Sequence, residues 1–130
     1  MDDVVALTAL IQCLVKKLSD QIDEGTYQHD CHPMMVRQNK WRACRFGVNA
    51  QLVDSYTYKV VSVSEMTRAL IERLGPTAQD LGCLEHLERV QDIADGESLP
   101  DKQRSILDAT GEPAEIVRQI MRRSRISKIV

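Results

Sequence analysis

The chain has 130 residues and a mass of 14.7 kDa, a length typical of one compact domain. Apolar residues make up 43% and charged residues 28%, which excludes the disordered and low-complexity classes. Seventeen basic and nineteen acidic side chains give a net charge of −2, and aromatic residues are only 4%. The composition therefore predicts a globular protein that binds neither nucleic acid nor a membrane.

The first predicted helix covers residues 3–23. Its apolar side chains recur every three or four positions, the period of a helix that buries one stripe. They are Val4, Leu7, Ile11, Leu14, Val15, Leu18 and Ile22. Because this helix starts directly after Met1, we expect part of the stripe to face segments outside this chain and to be uncovered here. The uncovered part is predicted to mediate self-association or contact with a missing amino-terminal part.

A loop and a second helix are predicted next. Residues 24–33 contain Gly25, Pro33 and several polar side chains, which is typical of a loop. No helix breaker follows before Gly47, so a helix is predicted from residue 34 to about residue 46.

A short β-hairpin follows this helix. Residues 51–53 and 58–61 are rich in β-branched residues and tyrosine, and residues 54–57 separate them. The period of the apolar residues changes here from that of a helix to that of a strand.

A third helix is predicted over residues 64–74, with the serine at its start as the capping residue. Gly75 and Pro76 are expected to end it. A fourth helical stretch is predicted to begin near Pro76, to be interrupted at Gly82 and to continue to Gly96.

Two further helices complete the chain. They cover residues 101–109 and 112–125, and each begins near a proline, Pro100 or Pro113. The predicted fold class is mostly α, with about five to six helices and one short β-hairpin in a single unit, residues 1–130.

The densest polar segment lies on the second helix. On a helix that turns about 100° per residue, its amide and guanidinium side chains share one face. They are Gln38, Asn39, Arg42 and Arg45. The neighbouring face, with Trp41, Cys44 and Val48, is expected to be buried and to hold this polar row in place. Because guanidinium groups bind carboxylates and phosphates bidentately, the row is a candidate anion site; a solvated basic face is the alternative.

Three segments carry a resemblance to a known family. They are NKWRACRFG at residues 39–47, NAQLVD at residues 49–54 and LGPTAQDLGCLEHLERV at residues 74–90. Together they resemble the carboxyl-terminal part of the carboxylate-amine ligase family related to glutamate-cysteine ligase. The similarity extends over nearly the whole chain, and the first segment is its most specific portion.

The resemblance implies an enzyme that uses ATP and Mg²⁺ to join a carboxylate to an amine through an acyl phosphate. It implies that Arg42 and Arg45 contact an anionic group during catalysis and that Asn39 and Gln38 bind substrate. Gln38 stands where the family often has Glu, so no metal or base role is carried over to it. No metal ligand is therefore assigned.

The resemblance also implies that this chain is a fragment, the carboxyl-terminal third of a larger α+β ligase fold. Family members carry an antiparallel sheet with most nucleotide and metal ligands in an amino-terminal portion, and this chain has no Gly-rich phosphate loop. We therefore expect the isolated chain to bind no cofactor and to be inactive alone. The alternative is a stand-alone helical module for protein interaction.

Other polar residues are interpreted more simply. His29, Cys31 and His32 are expected to lie in a polar surface loop, because a structural zinc site needs four converging ligands. Cys44 is interpreted as buried packing and His86 as a residue at the edge of the core.

Five cations near the carboxyl end are expected to favour the negative end of their own helix and to stay solvated. They are Arg118, Arg122, Arg123, Arg125 and Lys128. The four cysteines form no C-x-x-C pair and no secretory signal is recognised, which predicts reduced thiols and a cytoplasmic location.

Overall fold

The computed structural model describes residues 2–28 and 31–124. This part of the chain forms six α-helices, one 3₁₀ turn and one two-stranded antiparallel sheet. In chain order they are α1 (Asp2–Asp23), α2 (Pro33–Phe46), the 3₁₀ turn (Gly47–Asn49), β1 (Gln51–Val53), β2 (Val60–Ser62), α3 (Val63–Asp80), α4 (Leu84–Asp95), α5 (Leu99–Thr110) and α6 (Pro113–Ser124). The predicted fold class, mostly helical with one hairpin, is confirmed. No helix in the described ranges is long and apolar enough to cross a membrane.

Three helices, α1, α3 and α4, enclose the core. Small and aliphatic side chains from these helices are buried together, and small residues let the helix backbones approach closely. The buried cluster consists of Ala6, Cys13, Leu74, Ala78, Leu87 and Val90. The hairpin and the 3₁₀ turn pack against α3, whereas α2 packs against β1 and the 3₁₀ turn and has no buried residue.

The face of α1 that meets the core differs from the one that the apolar period predicts. Ala6, Ala9 and Cys13 are the buried residues of this helix. Of the predicted stripe, only Leu14 packs against the core. The other six side chains are 42–63% exposed; they are Val4, Leu7, Ile11, Val15, Leu18 and Ile22. The prediction of one buried stripe is therefore wrong, whereas the expected uncovered apolar patch on α1 is present.

Helix α3 begins earlier and ends later than predicted. Its N-cap is Ser62 and not Ser64: the Ser62 hydroxyl accepts from the backbone N–H of Glu65 at 3.1 Å, and the Glu65 carboxylate accepts from the backbone N–H of Ser62 at 2.9 Å. The helix also runs through Pro76. A proline inside a helix costs about 3 kcal/mol, and the burial of Leu74 and Ala78 on either side of it in the core offsets that cost.

The interruption predicted at Gly82 is confirmed. Gly82 has φ = 66°, a left-handed conformation that glycine adopts without a steric penalty. The chain reverses there, and α4 returns along α1 and α3. The two predicted carboxyl-terminal helices also form as α5 and α6, with Ser98 as the N-cap of α5.

The hairpin pairs Leu52 with Val61, and its second strand starts two residues later than predicted. The turn explains the shift, because the Asp54 carboxylate accepts hydrogen bonds from the Tyr56 backbone N–H at 3.0 Å and from the Thr57 hydroxyl at 2.8 Å. These bonds lower the pKa of Asp54, and the bond from the Tyr56 backbone N–H has the larger effect. Tyr58, predicted to be in the strand, adopts φ = 57° in this turn.

Candidate functional site

Helix α2 concentrates positive charge. It contains four cationic side chains and no acidic one. The cations are Arg37, Lys40, Arg42 and Arg45. Ion pairs within the described ranges involve cations of other helices and none of these four. In a protein of net charge −2, α2 is therefore a local positive surface available to an anion.

Asn39 joins α2 to the free edge of β1. Its Nδ2 donates to the carbonyl of Val53 at 2.8 Å, and its Oδ1 accepts from the backbone N–H of Val53 at 2.8 Å. The side-chain amide thus takes the place of a neighbouring strand at this residue. Asn39 is partly buried, so this pair positions α2 against the hairpin.

Arg42 makes a second contact with the same edge. Its Nη1 donates to the carbonyl of Gln51 at 3.0 Å. Alternate residues of a strand present their backbone groups to the same edge, so Gln51 and Val53 both face α2. Asn39 and Arg42 lie about one helical turn apart and therefore reach these two residues from the same side of the helix. A guanidinium has five N–H donors, so the other donors of Arg42 are available to an anion.

Arg45 has a different environment from Arg42. Its guanidinium carbon lies 5.5 Å from the ring centre of Trp41 and 5.6 Å from that of Phe46. The two rings meet edge to face, 6.3 Å apart. Cation–π contacts of this kind favour positions of the guanidinium over the rings and leave its N–H groups free to bind.

The expected burial of Trp41 and Cys44 is wrong. Trp41 is 57% exposed, Cys44 is exposed, and α2 has no buried residue. The reason is that the backbone edge of β1 offers unpaired donors and acceptors, and the polar face of α2 satisfies them where an apolar face would not. Val48, in the turn after α2, is half-buried.

Two shallow grooves lie on either side of Trp41. The first has a volume of about 670 Å³ and is lined by His32, Met34, Met35, Arg37, Gln38 and Val53 as well as Trp41. The second, about 460 Å³, is lined by Arg42, Phe46, Asn49 and Gln51 as well as Trp41. Gln38 and Arg42, both in the polar row predicted from the sequence, thus line different grooves.

The remaining predicted positions form no metal site in the described residues. His32 is the N-cap of α2, where its Nδ1 accepts from the backbone N–H of Met34 at 3.2 Å. Cys31 is half-buried, and His29 lies outside the described residues. His86 is exposed on α4.

The carboxyl-terminal cations are engaged by acids. Glu115 pairs with Arg118 at 2.7 Å and with Arg122 at 3.9 Å, and Arg123 lies 4.0 Å from Asp3 of α1. Arg125 and Lys128 lie outside the described residues. The contrast with α2, whose cations have no acidic partner in the described part, makes α2 the better candidate for anion binding.

Phe46 and the backbone groups of Gln51 and Val53 belong to the site but were missed from the sequence. An aromatic residue at position 46, next to Arg45, could have predicted a cation–π contact. The strand edge had no such signal, because side-chain periodicity does not show which backbone groups remain unpaired.

Comparison with known proteins defines the class of this chain. The family model for glutamate-cysteine ligase family 2 (GCS2) matches residues 1–123. The match includes the whole Asn/Arg segment of α2 and the three core helices. The chain belongs to glutamate-cysteine ligase family 2.

Individual relatives agree with this assignment. A protein of Clavibacter sepedonicus named "putative glutamate–cysteine ligase 2" is 37% identical over 126 residues, which is 96% of this chain and 33% of the relative. A protein of Rubrobacter xylanophilus named "putative glutamate–cysteine ligase 2-1" is 39% identical over 115 residues, 87% of this chain and 30% of the relative. The chain thus spans about a third of the length of these relatives. No solved structure matches it.

Proposed function

We propose that this chain supplies the Asn/Arg helix of an ATP-dependent carboxylate-amine ligase of the glutamate-cysteine ligase type. In this proposal Arg42 and Arg45 bind an anionic group of the substrate or of the transition state, and Asn39 and Gln38 belong to the substrate-binding surface. Membership of glutamate-cysteine ligase family 2 and the unpaired charge of α2 support it.

The environment of Arg45 is the observation that carries the proposal. Its guanidinium is oriented by two aromatic rings and has no acidic partner in the described part of the chain. A guanidinium that aromatic rings orient and no acid neutralises is suited to bind a carboxylate or phosphate. Arg42 and Asn39 have an additional role, since their contacts with β1 hold the helix beside the hairpin.

The proposal assigns the binding of ATP and Mg²⁺ to the complete family enzyme. Among them there is no group of three acidic, histidine or cysteine side chains that could hold a metal ion. Mg²⁺ bound with ATP usually requires one or two carboxylates on a rigid frame together with the phosphates. In the proposal both cofactors therefore belong to the complete family enzyme, and the isolated chain binds neither and has no ligase activity.

A chimera tests the proposal. The matched 126-residue segment of the Clavibacter sepedonicus relative is replaced by the corresponding segment of this chain, and ADP release is measured with glutamate and cysteine. The proposal predicts amino-acid-dependent ADP release by the chimera and none by the isolated chain. Ligase activity of the isolated chain, or a folded chimera that lacks activity while the parent relative is active, would contradict it.

A second candidate function is a stand-alone helical module for protein interaction. The exposed aliphatic stripe of α1 favours it, because a surface of this kind usually marks a contact with another protein. An inactive chimera together with a stable complex formed through α1 would support this alternative.

A further inference from the structure

Two thiols from distant parts of the chain meet at the core. Cys13 lies in the middle of α1 and is fully buried, and Cys83 lies half-buried in the turn between α3 and α4. Their Sγ atoms are 3.5 Å apart, although 70 positions separate the two residues in the sequence. A disulfide bond is about 2.05 Å long, so the two sulfur atoms are about 1.5 Å from bonding distance. Each Sγ moves by rotation about a single bond, Cα–Cβ, which puts a gap of this size within its reach.

The backbone of Cys83 is held on both sides. Its N–H donates to the carbonyl of Ala78 at 2.9 Å, and its carbonyl accepts from the N–H of Leu87 at 3.0 Å. Cys83 is the N-cap residue of α4, yet its side chain forms no capping hydrogen bond. N-cap positions favour side chains with an oxygen acceptor, which this thiol lacks. The Sγ atom of Cys83 meets Cys13 instead, so its position is defined by α1 and not by the helix that it begins.

The two thiols differ in access to solvent. Cys83 has exposed surface and Cys13 has none, so a reagent in solution meets Cys83 first. Burial raises the pKa of Cys13 to about 11, with further contributions from the hydrogen bond and the charge of Cys83. The contributions of Cys83 disappear once its sulfur is bonded to another sulfur. Cys13 is therefore inert towards reagents in solution but is placed in contact with the one sulfur that such a reagent modifies.

We propose that Cys13 and Cys83 form a site of reversible oxidation, at which a low-molecular-weight disulfide converts the two thiols into an intramolecular disulfide bond. In the first step the thiolate of Cys83 attacks one sulfur of the reagent, whose S–S bond breaks, and one reagent thiolate leaves and takes up a proton. In the second step Cys13 releases its proton to solvent and its sulfur attacks the Sγ atom of Cys83. The mixed disulfide breaks, and the second reagent thiolate leaves and is protonated. The protein loses two electrons and two protons, and the reagent gains both as two thiols.

The bond joins α1 to the start of α4 and closes a loop that contains α2, the hairpin and α3. A disulfide that closes a long loop lowers the conformational entropy of the unfolded chain, so the oxidised protein is more stable than the reduced one. Because the candidate site on α2 lies inside this loop, oxidation also restrains the segment that carries the site. The inference uses only the core helices and does not depend on the proposed function.

Redox titration of the full chain with Cys31→Ser and Cys44→Ser tests the proposal. The protein is equilibrated with 2-mercaptoethanol and its disulfide, quenched with acid, alkylated after unfolding and weighed by intact-mass spectrometry. We expect a species that is two hydrogen atoms lighter, carries no alkyl group and yields a linked Cys13–Cys83 peptide. The effective concentration of the two thiols should be at least about 100-fold higher in the folded protein than in urea, because the fold holds the sulfur atoms together. That factor corresponds to about 3 kcal/mol at about 1.4 kcal/mol per tenfold change, so Tm should rise by at least about 5 °C on oxidation.

Single variants in the same background separate the two steps, and far-UV circular dichroism shows that each is folded. Cys13→Ala should stop at the mixed disulfide of Cys83 with the reagent, and Cys83→Ser should leave Cys13 as a free thiol. The matched control is the other pair of cysteines, in a chain with Cys13→Ala and Cys83→Ser. Cys31 precedes α2, and the helix carries Cys44 about 16 Å from Pro33, so this pair should form no bond.

Three results would overturn the proposal. The first is a folded protein that keeps both thiols at equilibrium with the reagent. The second is a mixed disulfide that persists on Cys83 although Cys13 is present, because it would show that the second sulfur cannot reach the first. The third is an effective concentration in the folded protein no higher than in urea, which would mean that the two thiols only pack against each other.

Discussion

The side chain of Asn39 forms both backbone hydrogen bonds of a missing strand with Val53, each at 2.8 Å. The amide is suited to this role because it presents a donor and an acceptor side by side, as a peptide group does. This pair and the contact of Arg42 with Gln51 are the polar links that hold α2 beside the hairpin.

Asn39→Asp should therefore destabilise the protein by about 1–3 kcal/mol, because the carboxylate cannot donate and faces the Val53 carbonyl. Urea denaturation measures the change. Gln38→Glu is the matched control, since it makes the same chemical change one residue earlier on an exposed side chain. We expect it to alter the free energy of unfolding by less than about 0.5 kcal/mol. Equal effects of the two substitutions would show that the Asn39 pair contributes no stability.

The two arginines of α2 are expected to matter for activity in the chimera. Arg45→Ala and Arg42→Ala should each lower kcat/KM by about 30- to 1,000-fold, the effect of losing a contact worth about 2–4 kcal/mol to a developing anion. Arg122→Ala on α6 is the control, because Arg122 is exposed and only 3.9 Å from an acid that Arg118 already neutralises. If all three variants keep the same kcat/KM, α2 is a solvated basic face.

Cys13 should be the least reactive of the four thiols. Burial, followed by the hydrogen bond and the charge of Cys83, whose Sγ lies 3.5 Å away, raises the pKa of Cys13 to about 11. At pH 8 a thiol reagent should modify the exposed Cys44 rapidly and Cys13 only after unfolding. Intact-mass spectrometry during labelling checks this order, and Cys44→Ser should remove the fast phase. Modification of Cys13 as fast as Cys44 would contradict the buried position.

The same shift makes stability depend on pH. The pKa of Cys13 is raised in the folded state above its ordinary value of 9.0. The free energy of unfolding is therefore unaffected by this thiol below pH 9 and falls as the pH rises towards 11. The loss at pH 11 is about 2–3 kcal/mol, at about 1.4 kcal/mol per pKa unit. Urea denaturation at pH 8, 10 and 11 should show a smaller loss for Cys13→Ala than for the wild type. Parallel pH profiles of the unfolding free energy for Cys13→Ala and the wild type would refute this prediction.

The capping box of α3 should be sensitive to acid. Hydrogen bonds from the Ser62 backbone and then from its hydroxyl lower the pKa of Glu65 below the ordinary 4.5. Because the folded-state pKa is lowered, this contribution is present above pH 4.5 and is lost as the pH falls through the folded-state value. Ser62→Ala should lower the free energy of unfolding by about 1 kcal/mol at neutral pH. Thermal unfolding at pH 3 and 7 should show a smaller loss of stability at pH 3 for Glu65→Gln than for the wild type.

Much of the local structure follows from the sequence. The period of apolar residues, the prolines near helix starts and the glycines near helix ends predict five of the six helices to within about two residues, because these signals act over one or two turns. The exception is α3, whose end lies six residues beyond the predicted one. The Asn/Arg segment also identifies the family, which the comparison confirms. The arrangement of Asn39, Arg42 and Arg45 on one helix follows from their spacing.

Only the tertiary structure decided which surfaces are buried. Helix α1 has two apolar faces, and the face of small residues was chosen because Ala6, Ala9 and Cys13 let α3 and α4 approach closely. Pro76 remained inside α3 because core contacts on both sides of it outweigh its local cost. On α2 the polar face packed inward, since the unpaired edge of β1 needs hydrogen bonds that Trp41 could not supply. Local periodicity shows that a face is apolar or polar, but the partner that covers it is determined by segments distant in the sequence.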